Sequence, residues 1–315
     1  MNFYIGVTDT EWYHYLRYHN PEDINFWQPG GTPGFKAIPR GAPFLLKMKY
    51  PANAISGVGF FISHAKLPIS LAWETFGNRN GCDTLSDLRE AIMKYRRGKG
   101  QVEHDPVIGC IILTDPVFFS DEDWIPAPEN WSKNIVAGKT YSTDEYYGKK
   151  LWERVNDLLV KYRFYEKEVK ESDVLVNEED ILNRYGEYIT KVRIGQGTFR
   201  LLVTEAYTRR CAVTGEKTLP VLEAAHIKPY AESGPHAIKN GLLLRSDLHK
   251  LFDNGYMTVT PDYYVEVSNQ IKEKYKNGRE YYRYHGNNLT VLPGIDKEKP
   301  GAGYLQWHNE NVYQG

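Results

Sequence analysis

The sequence predicts an α+β protein in two parts. A mostly β, barrel-type domain covers residues 1–141, a helical linker covers 142–190, and a mixed domain covers 191–315. Three observations carry this reading. The first 140 residues break into short apolar runs separated by Gly and Pro, as strands and turns do. From about Thr143 the apolar residues switch to helical spacing. Between residues 211 and 255 the order is strand, loop, strand, helix. The length of 315 residues also exceeds the ~100–200 of a typical single domain.

The N-terminal strands are expected in "NFYIGV", "APFLLKMKY", "ISGVGFFISHA" and "VIGCIILT", the middle two joined by a turn at "YPAN". Pro51 has no N–H for a sheet ladder, which suits that turn. Helices are expected over 10–18 and over 84–97, the second with Thr84 as N-cap. The spacing of Leu71, Trp73 and Phe76 leaves helix and strand both open. In "DEYYGKKLWERVNDLLVKYRFYEK", Leu151, Val155, Leu158, Leu159 and Tyr162 form one helical face, with charges opposite. An acidic stretch then leads to "ITKVRIGQGTFRLLVTEAYTRR", whose second half reads as an amphipathic helix. After it come the turn "CAVTG", a strand "VLEAAHI" ending at His226, the polar loop "KPYAESGPHAIKNG", and a strand turning into a helix that Gly255 stops.

Composition narrows the class. Hydrophobic residues are 41% and charged residues 25%, the balance of an ordinary globular chain. No apolar run approaches the ~18 residues of a membrane span, and the opening "MNFYIGVTDTEWYHYL" lacks the basic-then-apolar pattern of a signal peptide. Cys82, Cys110 and Cys211 are odd in number and far apart, which argues against a disulfide framework or a zinc ribbon. A reducing, cytoplasmic location is therefore expected. The net charge of -1 hides an asymmetry: residues 191–255 hold ten Lys and Arg against six Asp and Glu, whereas 101–190 hold ten against nineteen. The basic segment is compatible with an anionic partner or with plain solvated surface.

The chemistry concentrates in 211–253. His249 and Asp253 are four apart on the expected helix, so both lie on one face and can share a divalent cation. His226 reaches the same space from the strand. A neutral imidazole can take a proton from an attacking water near neutral pH, and a metal can neutralise phosphate oxygens and stabilise a leaving alkoxide. Asn240, in the intervening loop, can bridge backbone and hold the imidazole in place. Lys239, Arg245 and Lys250 are near enough in sequence to meet neighbouring phosphates. His236 reads as loop surface, and Cys211 as a small buried hydrophobe.

The series His226, Asn240 and His249, inside "EAAHIKPY" and "NGLLLRSDLHKLFD" and preceded by "CAVTG", resembles an HNH endonuclease of the ββα-metal class, of bacterial restriction type. The resemblance implies that His226 is the general base, Asn240 the loop organiser and His249 a ligand for Mg²⁺ or Mn²⁺. Asp253 matches a place where some members have another ligand. Many members carry Asp or His directly before the base; Ala225 stands there in this sequence, leaving Glu223 or Asn240 to complete the set. The CxxC pairs frequent in the family are missing, so no structural zinc is implied. "VRIGQGTFR" resembles the segment that precedes such cores; its Arg193, Gln196 and Arg200 are candidate phosphate contacts, with a helix-start loop as the alternative. It lacks the Lys-Ser/Thr ending and preceding strand of a nucleotide-binding glycine loop.

An HNH core reads sequence weakly, so targeting falls to the N-terminal domain. "IPRGAPFLLKMKY", "ISGVGFFI" and "IGCIILTDPVFFSDEDWIP" are similar to PUA-like modules, which include EVE, ASCH and SRA domains. The likeness implies an aromatic-lined pocket for a modified or flipped base, with Trp27, Trp124, Trp131 and Tyr141 as candidates or, alternatively, as core packing. Together these features imply a metal-dependent, modification-dependent DNA endonuclease of the type IV-like restriction class, with modified DNA as partner and a homodimer left open. A non-catalytic nucleic-acid-binding module and an RNA-directed nuclease are the alternatives; the intact His226, Asn240 and His249 favour the enzyme.

Overall fold

Alternation along Asn2–Thr8 (β1) sends Phe3 and Ile5 into one hydrophobic cluster while Tyr4 packs against another. A computed structural model shows how the rest of the chain fills these two clusters. It describes residues 1–30, 34–96, 103–168 and 195–315, with the side chains of 163–168 excepted. The chain divides into two units, Met1–Ile194 and Gly195–Gly315.

In the first unit β1 is followed by Thr10–His19 (α1), Asp23–Gln28 (β2), Pro43–Met48 (β3), Ala54–Pro68 (β4), Ile69–Phe76 (α2), Leu85–Arg96 (α3), Val107–Phe118 (β5), Ile125–Pro126 (β6), Gly138–Ser142 (β7) and Tyr146–Glu168 (α4). One mixed sheet runs β2-β5-β4-β3-β1-β7, with β6 paired to β4. Only β1 and β3 pair in parallel among these strands, Tyr4 opposite Phe44 and Thr8 opposite Met48. Register shifts at Leu46/Lys47, Val58/Phe60 and Phe61/Ser63 bend the long β4.

Local chemistry sets the helix ends. Asp9 caps α1 by accepting the amides of Glu11 and Trp12, and Asn20 closes it in the left-handed region. Helix α1 then buries Trp12, Tyr13 and Leu16 against Phe26, Phe44 and Leu113. Thr84 opens α3 as expected: its Oγ1 accepts from the Asp87 amide and donates to the Asp87 carboxylate. The ambiguous stretch at 69–76 is a helix, burying Ile69, Ala72 and Phe76 on one face.

Three strands of this unit were not expected: β2, β7 and the two-residue β6. In β2 the polar Asp23 and Asn25 obscure a strand, yet both are fully buried because each has a partner far away in sequence. Asp23 meets Arg79 at 2.7 Å, and Asn25 donates to Asn80 Oδ1 at 2.8 Å. Strand β7 is short and polar, with Tyr141 as its one buried residue, since it lies at the edge of the sheet beside β1. The helix read as a linker is α4. Its Leu151, Val155 and Leu159 are buried with Phe3, Ile5, Leu45 and Val58, so this stretch is core of the first unit. Residues 169–190 of the expected linker lie outside the described residues.

The second unit begins with Gln196–Ala206 (α5) and continues through Leu222–His226 (β8), Gly241–Arg245 (β9) and Ser246–Asp253 (α6). Met257–Val259 (β10), Val265–Val267 (β11), Gln270–Tyr275 (α7), Arg279–Tyr282 (α8) and Ala302–Asn311 (α9) follow. Strands β8 and β9 are antiparallel, with Leu222 opposite Arg245 and His226 opposite Gly241. A side chain at Gly241 would lie 2.5 Å from Val203 Cγ2, so glycine lets α5 pack directly on the hairpin. Helix α6 buries Leu248 and Phe252 and ends before Gly255, which turns the chain at φ 72°. Behind it, His308 of α9 is buried and stacks on Phe252, ring centroids 3.7 Å apart. No helix among the described residues is long and apolar enough to cross a membrane.

Candidate active site

The hairpin and α6 form a β-β-α frame that brings the two expected histidines toward one space. His226 ends β8, and His249 lies one turn into α6. Between them the loop is held by Asn240, which is fully buried. Its Oδ1 accepts the Lys228 amide at 2.9 Å. Its Nδ2 donates to the carbonyls of Lys228, 2.9 Å, and Pro235, 3.0 Å. All three bonds go to loop backbone. Asn240 also accepts the Ile227 amide through its own carbonyl, 2.9 Å, which ties the loop's end to the residue after His226.

His226 is half-buried, and its ring lies flat on Phe199 of α5, centroids 3.8 Å apart and 12° from parallel. Burial, together with the nearby His236 and His249, pushes its pKa down to about 4 against a weaker upward pull from Asp253. At neutral pH the ring is therefore unprotonated and holds the lone pair that a base requires.

His249 sits between two carboxylates. Its Nδ1 is 2.6 Å from Glu223 Oε2 and its Nε2 is 3.1 Å from Asp253 Oδ2. Burial lowers its pKa, but the hydrogen bonds and charges of Asp253 and Glu223 outweigh that and raise it overall. The Nε2 of half-buried His249 and the exposed Asp253 carboxylate are neighbours one turn apart on α6, a pair that would suit a hard or borderline divalent cation. Glu223 engages the opposite ring nitrogen, the place of a carboxylate that orients a metal-binding imidazole. Glu223 is one of the two residues expected to complete the ligand set. Asn240, the other residue expected to complete it, spends its amide group on loop backbone. Among the described residues no group of three or more His, Cys, Asp or Glu is placed to hold a metal ion.

Other expected contacts divide. Gln196 opens α5 and is exposed, and Arg200 is half-buried on the same helix. Arg193 lies outside the described residues. Lys250 is exposed on α6. Arg245 forms a two-pronged pair with Asp247, at 2.6 and 2.7 Å, so its charge is already engaged. With Lys217, Arg283 and Asn287 it lines a cleft of about 730 Å³ that contains none of His226, Asn240 and His249. Lys239 lies over the Tyr304 ring, and Cys211 is buried, its sulfur accepting the amides of Thr214 and Arg245.

In the first unit the four candidate aromatics do not gather round one space. Trp27 packs against the α1 cluster and donates through Nε1 to the Asn80 carbonyl. Tyr141, 2% exposed, lies in the other cluster with Trp131 stacked beside it at 6.5 Å. Trp124 packs against both clusters and donates to the Phe119 carbonyl. A single base cannot rest on all four. Core packing, the alternative weighed for them, is what these contacts describe.

The sequence reading missed two members of the site. His236, expected on the loop surface, has its Nδ1 2.9 Å from His226 Nε2. Phe199 supplies the face on which His226 lies. No local signal existed for the first, because His236 meets His226 only where Asn240 holds the Pro235 carbonyl. Nothing local pointed to Phe199, since an apolar residue on an amphipathic helix is ordinarily core.

Residues 211–260 match the model of the HNH endonuclease family. No curated protein sequence matches the chain. Among solved structures, ASCH from Zymomonas mobilis is 12% identical with a TM-score of 0.31, over 48% of this chain and 94% of its own. A single-residue variant of that protein is 9% identical with a TM-score of 0.33, over 48% and 96%. The modification-dependent restriction endonuclease TagI is 12% identical with a TM-score of 0.28, over 92% of this chain and 75% of its own. The β-β-α frame and the family match fall on the same stretch, and residues 211–260 are an HNH endonuclease domain.

Proposed function

We propose that this nuclease hydrolyses DNA phosphodiesters with His226 as general base and a divalent cation, Mg²⁺ or Mn²⁺, at His249 and Asp253, and that the N-terminal unit directs it to DNA carrying modified bases. The observation that carries the catalytic part is the Asn240 clamp. It holds the loop between an unprotonated His226 on one strand and the His249–Asp253 pair on the following helix. His226 takes a proton from water as the water oxygen attacks phosphorus, and the bond to the leaving oxygen breaks. A pKa of about 4 is low for a base working near neutrality. An anionic phosphodiester bound beside the ring raises it toward the working range. The cation, when bound, neutralises the phosphate oxygens and the developing alkoxide. Lys250 and Gln196 are both exposed and, in this reading, would meet flanking phosphates.

Targeting rests on the PUA-like pattern of the N-terminal strands and on that unit having clusters of its own. One methyl in a fitted pocket contributes about 1–3 kcal/mol, so a preference of roughly tenfold to a few-hundredfold for modified DNA is expected. The test is incubation of the full chain and Mg²⁺ or Mn²⁺ with matched duplexes bearing C5-methylcytosine, C5-hydroxymethylcytosine or N6-methyladenine, or none, alongside matched RNA. Cleavage of a modified duplex that His226→Ala abolishes, with DNA binding retained, is the expected result. Equal cutting of every duplex removes the targeting role, and near-normal cutting by His226→Ala removes the base assignment.

A further inference from the structure

We infer that His236 is a positioning residue for the general base, setting both the orientation of the His226 ring and the nitrogen on which it carries its proton. For its catalytic consequence the inference rests on the nuclease reading above; the contact between the two rings does not.

Four rings cluster here, with Phe199 lying 5.7 Å from the His236 ring as well as against His226. Phe199, 1% exposed, lies parallel to His226. His226 meets His236 edge to edge, 2.9 Å between Nε2 and Nδ1, with the ring planes 59° apart. Tyr230, 64% exposed, then lies parallel to His236 at 4.6 Å and 11°. Phe199 and Tyr230 grip the imidazoles by their faces, so the edge contact is the polar link between them. Asn240 supports both partners from one side chain. Its Oδ1 and Nδ2 hold Lys228, two residues after the base, and its Nδ2 also holds Pro235, the residue before His236.

A neutral imidazole carries one N–H and one lone pair. When His226 bears its proton on Nε2 and donates it to Nδ1 of His236, the lone pair of His226 is on Nδ1 and can accept a proton from water. In the reverse arrangement His236 donates, His226 carries its proton on Nδ1, and no lone pair remains. Proton transfer decides between them. Once His226 has taken a proton, both its nitrogens are donors, and only an acceptor can stay opposite Nε2. Nδ1 of a neutral His236 is that acceptor, and its bond to a charged ring is stronger than to a neutral one. The contact therefore tightens as the reaction proceeds, which is the condition for an interaction to raise turnover.

Two variants of the full chain separate this from a merely structural role. His236→Asn keeps an acceptor near the place of Nδ1, whereas His236→Phe keeps the stacking ring and loses the acceptor. Long-range ¹H–¹⁵N spectra of histidine-labelled protein read the tautomer of His226 directly. The expected result is an Nε2–H tautomer in the parent and in His236→Asn, and a mixture in His236→Phe. Turnover should fall roughly 10- to 100-fold in His236→Phe, with DNA affinity unchanged, and stay within a few-fold in His236→Asn. A His236→Phe protein with the parent's spectrum and turnover overturns the inference, as does a His236→Asn protein as impaired as His236→Phe. If the parent cuts no nucleic acid, the nuclease reading fails, and the tautomer spectra alone decide whether His236 positions His226.

Discussion

Replacing Asn240 by alanine removes three hydrogen bonds from a side chain with no exposure to solvent. At a net ~1 kcal/mol for each, the loop loses about 3 kcal/mol, a large part of the ~5–15 kcal/mol that holds a domain folded. Aspartate is the sharper probe. It is nearly isosteric and keeps an acceptor for the Lys228 amide. Where Nδ2 donated to the carbonyls of Lys228 and Pro235, however, it places a second acceptor. Oxygen then faces oxygen in a buried space, so Asn240→Asp should destabilise at least as much as Asn240→Ala despite the smaller change in shape. Hydrogen exchange of peptides spanning residues 227–240 measures this in the intact chain. A loss of about 3 kcal/mol corresponds to exchange faster by roughly a hundredfold. Peptides of the first unit should be unchanged. Protection in Asn240→Asp equal to the parent's would show that the amide group does not hold the loop, and the reasoning built on the clamp would fail.

Two other predictions follow from the same frame. His249→Ala should weaken Mn²⁺ binding measured by calorimetry, and Asp253→Ala should do so as well. Because Glu223 and Asp253 raise the His249 pKa, parent affinity should decline as pH falls through that raised value, a dependence His249→Ala lacks. Unchanged affinity in both variants would place the ligands elsewhere. The second concerns His308, whose Nδ1 accepts from Thr258 at 2.8 Å and whose Nε2 donates to the Phe252 carbonyl at 3.1 Å. Burial pushes its pKa down to about 4 from 6.5. The unfolded chain therefore binds the proton first, and stability present above pH ~6.5 is lost as pH falls toward ~4, by up to roughly 3 kcal/mol. The difference between urea midpoints of the parent and His308→Phe should shift over that window; a pH-independent difference would refute the assignment.

The sequence by itself determined what depends on near neighbours. His249 and Asp253 share a helix face because four residues make about one turn, and they meet at 3.1 Å. Leu222–His226 is a strand, and Gly255 ends α6, for similarly local reasons. The HNH order was legible because its three residues stand at fixed places in one short hairpin and helix. Tertiary structure decided whatever needed a distant partner. Strand β2 can bury its polar residues because Arg79 pairs with Asp23 and Asn80 accepts from Asn25 Nδ2, each from more than fifty residues away, and no local pattern shows such partners. The helical face of α4 was plain, but the sheet that covers it was not. In the candidate site, the partners of His226 were settled only when α5 laid Phe199 against its ring and the closed loop brought His236 to it. Ring stacking and a bond between two side-chain nitrogens depend on where a loop closes in space, and residue spacing does not encode that.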